Sequence, residues 1–259
     1  MRTTDTVIVN DSNRVRTITL NRPEALNAFN DELYDGAGDA LSRAAEDDTI
    51  AVVIITGAGR AFTAGQDLSE MAEPRRHTDG QAHGFPYFID TLASFPKPLI
   101  AAVNGMGIGL TLLPHCDFVF ISEDARLKAP FPTLGVTVEA ANSYLLPERV
   151  GWANAAHILY TGEWIDADKA VEIGLAGTKT SANNLMLEVQ VLATKIAAMP
   201  ITSLVHTKQL VLAPRLAAIQ DARKRETAAF AELIGAPANR EALQAFKEKR
   251  PADFTNLTP

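Results

Sequence analysis

One cysteine, Cys116, stands in 259 residues. A lone thiol excludes an internal disulfide framework and a CxxC metal site, and no metal ligand set is expected. Nothing near Cys116 favours a thiolate, so it reads as a core residue. Long apolar runs are missing too. None reaches bilayer-spanning length, and Met1-Arg2-Thr3-Thr4-Asp5 offers no apolar signal core. No membrane partner and a cytoplasmic location are therefore expected. Basic charge falls short: 24 Lys and Arg against 31 Asp and Glu leave a net charge of −7. That balance argues against nucleic acid as the main partner. Repeats and low-complexity tracts are absent. What is present, 47% hydrophobic and 21% charged residues, is ordinary globular composition. It supplies ample core for one domain and a smaller appended region.

The most informative stretch runs from Ile50 to Leu68. Ile50 to Ile55 is an unbroken apolar run closed by Gly57, the pattern of a strand buried on both faces. Gly57, Gly59 and Gly65 punctuate the loop that follows, which ends at Asp67, an N-cap for a helix near Leu68. Glycine lets backbone approach a ligand closely, so N–H groups of this loop can point at one. An ordinary βα connection with structural glycines fits the residues equally well. The pattern recurs downstream. Pro96 and Pro98 bracket the start of a buried strand, Leu99 to Val103, and Asn104 to Leu113 is a second glycine turn entering an apolar helical segment. The spacing of Gly105, Gly107 and Gly109 is not the dinucleotide fingerprint, and no Walker lysine follows. Such a turn does deliver N–H groups at a helix N-terminus, suited to developing negative charge.

Elsewhere, Thr6–Asn10 and Val15–Asn21 predict a hairpin with a polar loop, Asp11-Ser12-Asn13-Arg14. Arg22-Pro23 stops the second strand, and Asn30 caps a helix carrying Leu33, Ala37, Ala40, Leu41 and Ala44. Residues 70–84 have no apolar period and read as a mobile surface segment. Phe85, Phe88, Ile89 and Leu92 fall at helical spacing, with core packing favoured over an acyl pocket. Cys116 to Ile121 is a further strand. The alternation continues through Phe131 to Val138, and Glu139 to Leu146 reads as a helix start. Taken alone, Glu139 is a helix-dipole partner on an exposed first turn. Gly151 precedes a helix from Trp152 to Tyr160, and Asp166 and Gly174 bound a short one. From Ser181 the pattern is helical only: a stripe from Leu185 to Met199, then Ile201–Leu212, Leu216–Ile234 and Asn239–Lys249. The architecture expected is an α/β core of repeated units, residues 1–195, followed by a helical C-terminal region, residues 196–259.

Several segments together resemble the enoyl-CoA hydratase/isomerase, or crotonase, superfamily. They are Leu20 to Phe29, Gly59 to Leu68, Lys97 to Gly105, Cys116-Asp117, Thr161-Gly162-Glu163 with Ala170 to Leu175, and Ala245 to Pro251. The resemblance covers nearly the whole chain. It implies an α/β crotonase-like spiral of ββα units with a C-terminal all-helical trimerisation region. It further implies a homotrimer or dimer of trimers and an acyl-CoA thioester as substrate, with coenzyme A arriving as part of that substrate and no separate cofactor. Two backbone N–H groups of the family hold the thioester oxygen, and they map to Gln66 and Ile108. Segments 22–28 and 64–68, with Arg22, Ala25, Leu26, Ala28, Ala64, Gly65, Asp67 and Leu68, would flank the adenine and pantetheine. Phe131 would lie by the acyl chain. Phe246 and Lys249 are candidates for touching a CoA, whether their own subunit's or a neighbour's, although a solvated Lys249 fits as well.

The resemblance also bears on the chemistry. The two glutamates of the hydratase branch fall on Thr111 and Phe131, neither of which can act as a general base. Glu139 falls where one isomerase branch carries its single catalytic glutamate, and that branch shares a turn like Gly107 to Thr111. Apolar neighbours Val138, Ala140 and Ala141 can raise such a carboxyl toward neutrality. The segment from Asn104 to Thr111 is two residues shorter than is usual in the family. If the loss falls before Gly107, Ile108 supplies the second donor; a rebuilt turn would move it. Three readings follow: an isomerase acting through Glu139, a hydratase-type enzyme with an unusual water site, and a non-catalytic acyl-CoA-binding homologue.

Overall fold

The structure, a computed structural model, describes residues 5–72, 77–78 and 80–257. Of the segment expected to be mobile, residues 73–76 and 79 lie outside the described residues. The chain opens with β1 (Val7–Ser12) and β2 (Val15–Leu20), an antiparallel pair. Only Asn13 and Arg14 turn, at φ 51° and 66°, the two-residue geometry whose twist matches its strands. The expected four-residue loop is shorter because Asp11 and Ser12 stay in register opposite Arg16 and Val15. Asp11 accepts from Arg16 Nε and Nη2 at 2.8 and 2.7 Å. Helix α1 (Asp31–Glu46) begins where Asn30 Oδ1 accepts from the Leu33 N–H at 3.0 Å.

Three units follow, each giving one long strand and then one short one. They are β3 (Val52–Gly57) with β4 (Ala61–Thr63), β5 (Leu99–Val103) with β6 (Met106–Gly107), and β7 (Phe118–Ser122) with β8 (Arg126–Leu127). Between the first two units lie α2 (Leu68–Ala72) and α3 (Gly84–Ala93). The remaining elements are α4 (Asn142–Val150), α5 (Trp152–Thr161), β9 (Ile165–Asp166), α6 (Ala167–Glu172), β10 (Thr178–Thr180), α7 (Leu185–Ala197), α8 (Ile201–Leu233) and α9 (Pro237–Glu248). The long strands, with the three-residue β10 at one edge, build one sheet, β1-β2-β3-β5-β7-β10, parallel beyond the hairpin. Short strands build another, β4-β6-β8-β9. This is the expected α/β spiral: each turn leaves the large sheet and crosses to the small one. Gly57 and Gly105 sit at two of these crossings. A Cβ there would lie 2.2 Å from the Ala61 carbonyl oxygen and 2.0 Å from that of Arg60, so the backbones approach too closely for any side chain.

The run read as doubly buried is so. Val53 and Ile55 pack into the cluster that holds Leu33, Leu41, Phe88, Ile89 and Leu92. Val52 and Ile54 face the other way, against Leu185, Val189, Ala193 and Ala197 of α7. Cys116 is a core thiol, and burial raises its pKa to about 12. Three expectations change. Residues 131–138 form a 3-10 turn, Pro132–Leu134, and an irregular segment, because Gly135 turns the chain at φ 63°. Helix α4 starts only at Asn142, after Ala140 and Ala141 in the left-handed region, so Glu139 is not on a first turn. The two helices expected from 201 to 234 are one. Pro214 lies inside α8 but is exposed, where water can take up the carbonyl that loses its partner. No single helix among the described residues is long and apolar enough to cross a membrane.

Candidate functional site

Strands β4 and β6 pair in parallel, so the loops that leave them emerge together and the two glycine turns meet. Thr63, the last residue of β4, is fully buried and joins them. Its carbonyl oxygen accepts from the Ile108 N–H at 2.9 Å. Its Oγ1 accepts from the Gly65 N–H at 3.1 Å and donates to the Asn27 carbonyl at 2.7 Å. A Cβ on Gly109 would lie 2.3 Å from Thr63 Cγ2, so only glycine fits beside it. The bond to Thr63 commits the Ile108 N–H, which corrects its assignment as a donor to the thioester oxygen. The shortened turn folds its N–H back onto β4. Among the described residues the N–H groups of Gln66 and Gly109 have no partner. The Gln66 side chain accepts from Tyr34 Oη–H at 2.8 Å.

These turns line a cleft of about 520 Å³. Ala64, Gly65, Gln66 and Leu68 form one part of its wall, and Ile108, Gly109, Thr111 and Phe131 another. Glu139 also lines it, as do Phe246 from α9 and Phe230 and Ile234 from the end of α8. Through these side chains the C-terminal helices close over the cleft. Phe85 lines the cleft as well, edge-on to Tyr34 with centroids 5.8 Å apart, while Phe88 behind it is core.

The remaining residues singled out from the sequence lie outside that wall. Arg22, Ala25, Leu26 and Ala28 run alongside residues 64–68: the Ala64 N–H donates to the Leu26 carbonyl at 2.9 Å. Arg22 donates to the Ala28 carbonyl at 2.6 Å and pairs with Asp67 at 3.1 Å. Asp67 also accepts from the Ser69 N–H at 3.1 Å, the capping role expected at the start of α2. Lys249 ends α9 in the left-handed conformation, φ 55°.

Glu139 is partly accessible, and its carboxylate makes no hydrogen bond or ion pair among the described residues. Burial, and then the like charge of Glu226, raises its pKa to about 7. Burial likewise holds the Tyr34 phenol well above its ordinary value, with Glu139 and Asp31 adding to the shift. The cleft therefore presents an unpaired carboxylate poised near neutrality and, from its two glycine turns, the unpaired N–H groups of Gln66 and Gly109. Such a set can take a proton from carbon while stabilising negative charge on oxygen. Tyr34, Thr63 and Glu226 carry no motif and no periodic mark that singles them out. Their importance comes from long-range contacts.

The whole chain has relatives with the same build. It matches the enoyl-CoA hydratase/isomerase family over residues 10–257. It is 34% identical to the 1,2-epoxyphenylacetyl-CoA isomerase of Escherichia coli (strain K12), covering 93% of this chain and 95% of that one. To the 2,3-dehydroadipyl-CoA hydratase of the same organism it is 37% identical, covering 96% and 98%. The crystal structure of an enoyl-CoA hydratase/isomerase from Pseudoalteromonas atlantica T6c superimposes with a TM-score of 0.92 at 36% identity, over 96% of this chain and all of that one. With a family match over nearly the full length and a closely superimposing fold, the chain belongs to the enoyl-CoA hydratase/isomerase family.

Proposed function

We propose that the protein isomerises 3-enoyl-CoA to 2-enoyl-CoA, with Glu139 as its single base. The observation that carries this reading is the carboxylate itself: unpaired, facing the cleft, with a pKa of about 7. Thr111 and Phe131, where hydratase glutamates would fall, line the same cleft and bring no base. On this reading Glu139 takes the proton from C2. The C2–H bonding pair becomes the C1–C2 double bond of a dienolate, and the negative charge moves to the thioester oxygen. The N–H groups of Gln66 and Gly109 receive that charge, Gly109 taking the part first given to Ile108. Glu139 then returns its proton to C4, leaving the double bond between C2 and C3. Atoms and charge balance without water or a cofactor. Segments 22–28 and 64–68, side by side, would hold the CoA, with Phe246 and Lys249 near its far end.

One observation favours a second reading, an acyl-CoA-binding protein without turnover: the Ile108 N–H is already spent on Thr63. Absorbance assays separate the readings. Supplied with a 3-enoyl-CoA, the protein should form the conjugated 2-enoyl thioester, and supplied with a 2-enoyl-CoA it should not bleach it by hydration. No change with any chain length of 3-enoyl-CoA would leave the binding reading standing; rapid loss of 2-enoyl absorbance would instead favour a hydratase.

The proposal extends to assembly as a homotrimer or dimer of trimers. Its support is apolar side chains left in solvent on one subunit: Trp152, Tyr160, Leu187, Val191, Leu210 and Val211 are all more than 60% exposed. Exposed apolar surface of this kind marks a contact face. Sedimentation at micromolar concentration should give three or six subunits, and a stable monomer would contradict the assembly.

A further inference from the structure

Glu139 stands next to strained backbone. Ala140 and Ala141, which follow it, both lie in the left-handed region, at φ 59° and 60°. Residues with a Cβ rarely adopt it, and such strain persists only where the surroundings over-determine it. Three buried or part-buried side chains do so. His115 Nε2 donates to the Ala140 carbonyl at 2.8 Å, as a neutral ring whose pKa burial lowers to about 4. Asn142 Nδ2 donates to the carbonyls of Thr111, Glu139 and Ala140 at 3.0, 3.2 and 3.1 Å. The third is Glu226, from the C-terminal part of α8 and only 5% exposed. Its Oε2 accepts from the Ala141 N–H and its Oε1 from the Ser143 N–H, each at 2.7 Å. These are donors around the N-terminus of α4 that no residue of α4 satisfies. Only a carboxylate has two acceptors to meet both; an amide would turn its own NH2 toward one of them.

We propose that Glu226 is a positioning residue for the base: its carboxylate clamps the left-handed Ala140–Ala141 pair, fixing where the Glu139 carboxyl stands, and sets a second negative charge beside it. The proposal rests on the reading of Glu139 as the base. A carboxylate buried against a catalytic carboxyl makes the ionised base costlier and so more eager for a proton. After burial, Glu226 is the cause of the upward shift of Glu139. The other groups around Glu139 do not compete for this role. Tyr34 from α1 and His115 from the 3-10 turn before β7 are neutral. Arg223, one turn before Glu226 on α8, is ion-paired with Asp90. Asp31, Glu70, His77 and His83 line other parts of the cleft, where Asp31 meets His77 and the Asp31 N–H donates to Glu70.

The test is the pH profile of kcat/KM for isomerisation of a 3-enoyl-CoA by full-length variants. Glu226→Gln should lower kcat about 100-fold, the cost of displacing a reacting group by about an ångström. It should also move the acid limb of the profile down by about one pH unit, because a like charge is gone. Glu226→Asp keeps the charge but cannot span both N–H groups, so kcat should fall while the limb stays. Ala141→Gly relieves the strain, and added to Glu226→Gln it should recover kcat about tenfold without returning the limb. Wild-type kcat in Glu226→Gln, or a lowered kcat on an unmoved limb, overturns the proposal. Should that variant fail to fold, Glu226→Asp decides, and there wild-type kcat or a displaced limb overturns it. Glu139→Gln is measured alongside. If it keeps isomerase activity, the base assignment fails and takes the proposal with it. If it is inactive while the Glu226 variants behave as wild type, only the positioning role fails.

Discussion

Replacing Glu139 with Gln should lower kcat for 3-enoyl-CoA isomerisation by about 10²–10⁴-fold and leave KM within about twofold. The amide keeps the shape of the side chain but cannot accept a proton near neutral pH. The two proposed oxyanion donors belong to the backbone of other elements, and the swap does not reach them. On the proposed reading, the ionised form of Glu139 is the active one. With a pKa of about 7, kcat/KM should be flat above neutrality and fall with decreasing pH below it. The sign follows from the role: a base is lost when it is protonated, and protonation rises as pH falls through its pKa. Steady-state kinetics across the pH range reads both effects. A glutamate introduced at Phe131 or Thr111 should not rescue Glu139→Gln, because each stands at a different place on the cleft wall. Full activity in Glu139→Gln would place the base at another residue and remove the isomerase reading.

The sequence made the large sheet and its flanking helices readable, because those elements repeat a pattern over many residues. Ile50 to Ile55 reads as buried on both faces from composition alone, and Asn30, Asp166 and Gly174 mark helix ends through local hydrogen bonding or left-handed geometry. The small sheet was not readable. Strands β4 and β6 are three and two residues long, too short for any period to show, and they lay hidden inside what read as glycine loops. The same holds for the site. Glu139 and Gln66 could be placed through resemblance to a family, since each sits in a recognisable local string. Thr63, Tyr34 and Glu226 could not. Thr63 matters because it meets Ile108 across the gap between two strands, and Glu226 because α8 returns over α4, 85 residues later in the chain. Contacts of that range leave no local trace. The Ile108 assignment failed for a related reason. Register within a shortened turn is set by which N–H the neighbouring strand captures, and spacing does not reveal the capture.

Gly109→Ala should reduce kcat by about 10²–10³-fold, the loss that follows removal of one oxyanion donor. The backbone at Gly109, φ −80° and ψ 34°, does not forbid alanine. The obstacle is Thr63 Cγ2, 2.3 Å from where the new Cβ would stand. Thr63 cannot swing aside. Its Oγ1 is held by the Asn27 carbonyl and the Gly65 N–H, and the residue has no exposed surface. The turn must therefore move. The Gly109 N–H moves with it, away from the position where it would face the thioester oxygen together with Gln66. The second site tests the cause. Thr63→Ser deletes Cγ2 and keeps both bonds of Oγ1, so Thr63→Ser in the Gly109→Ala background should recover most of the lost kcat. That is a strong positive coupling between two residues in contact. Unfolding midpoints of the single and double variants distinguish a displaced donor from a collapsed fold. If Gly109→Ala turns over at the wild-type rate, the second donor is not the Gly109 N–H. If activity stays lost when the clash is removed, the glycine is needed for something other than the space beside Thr63.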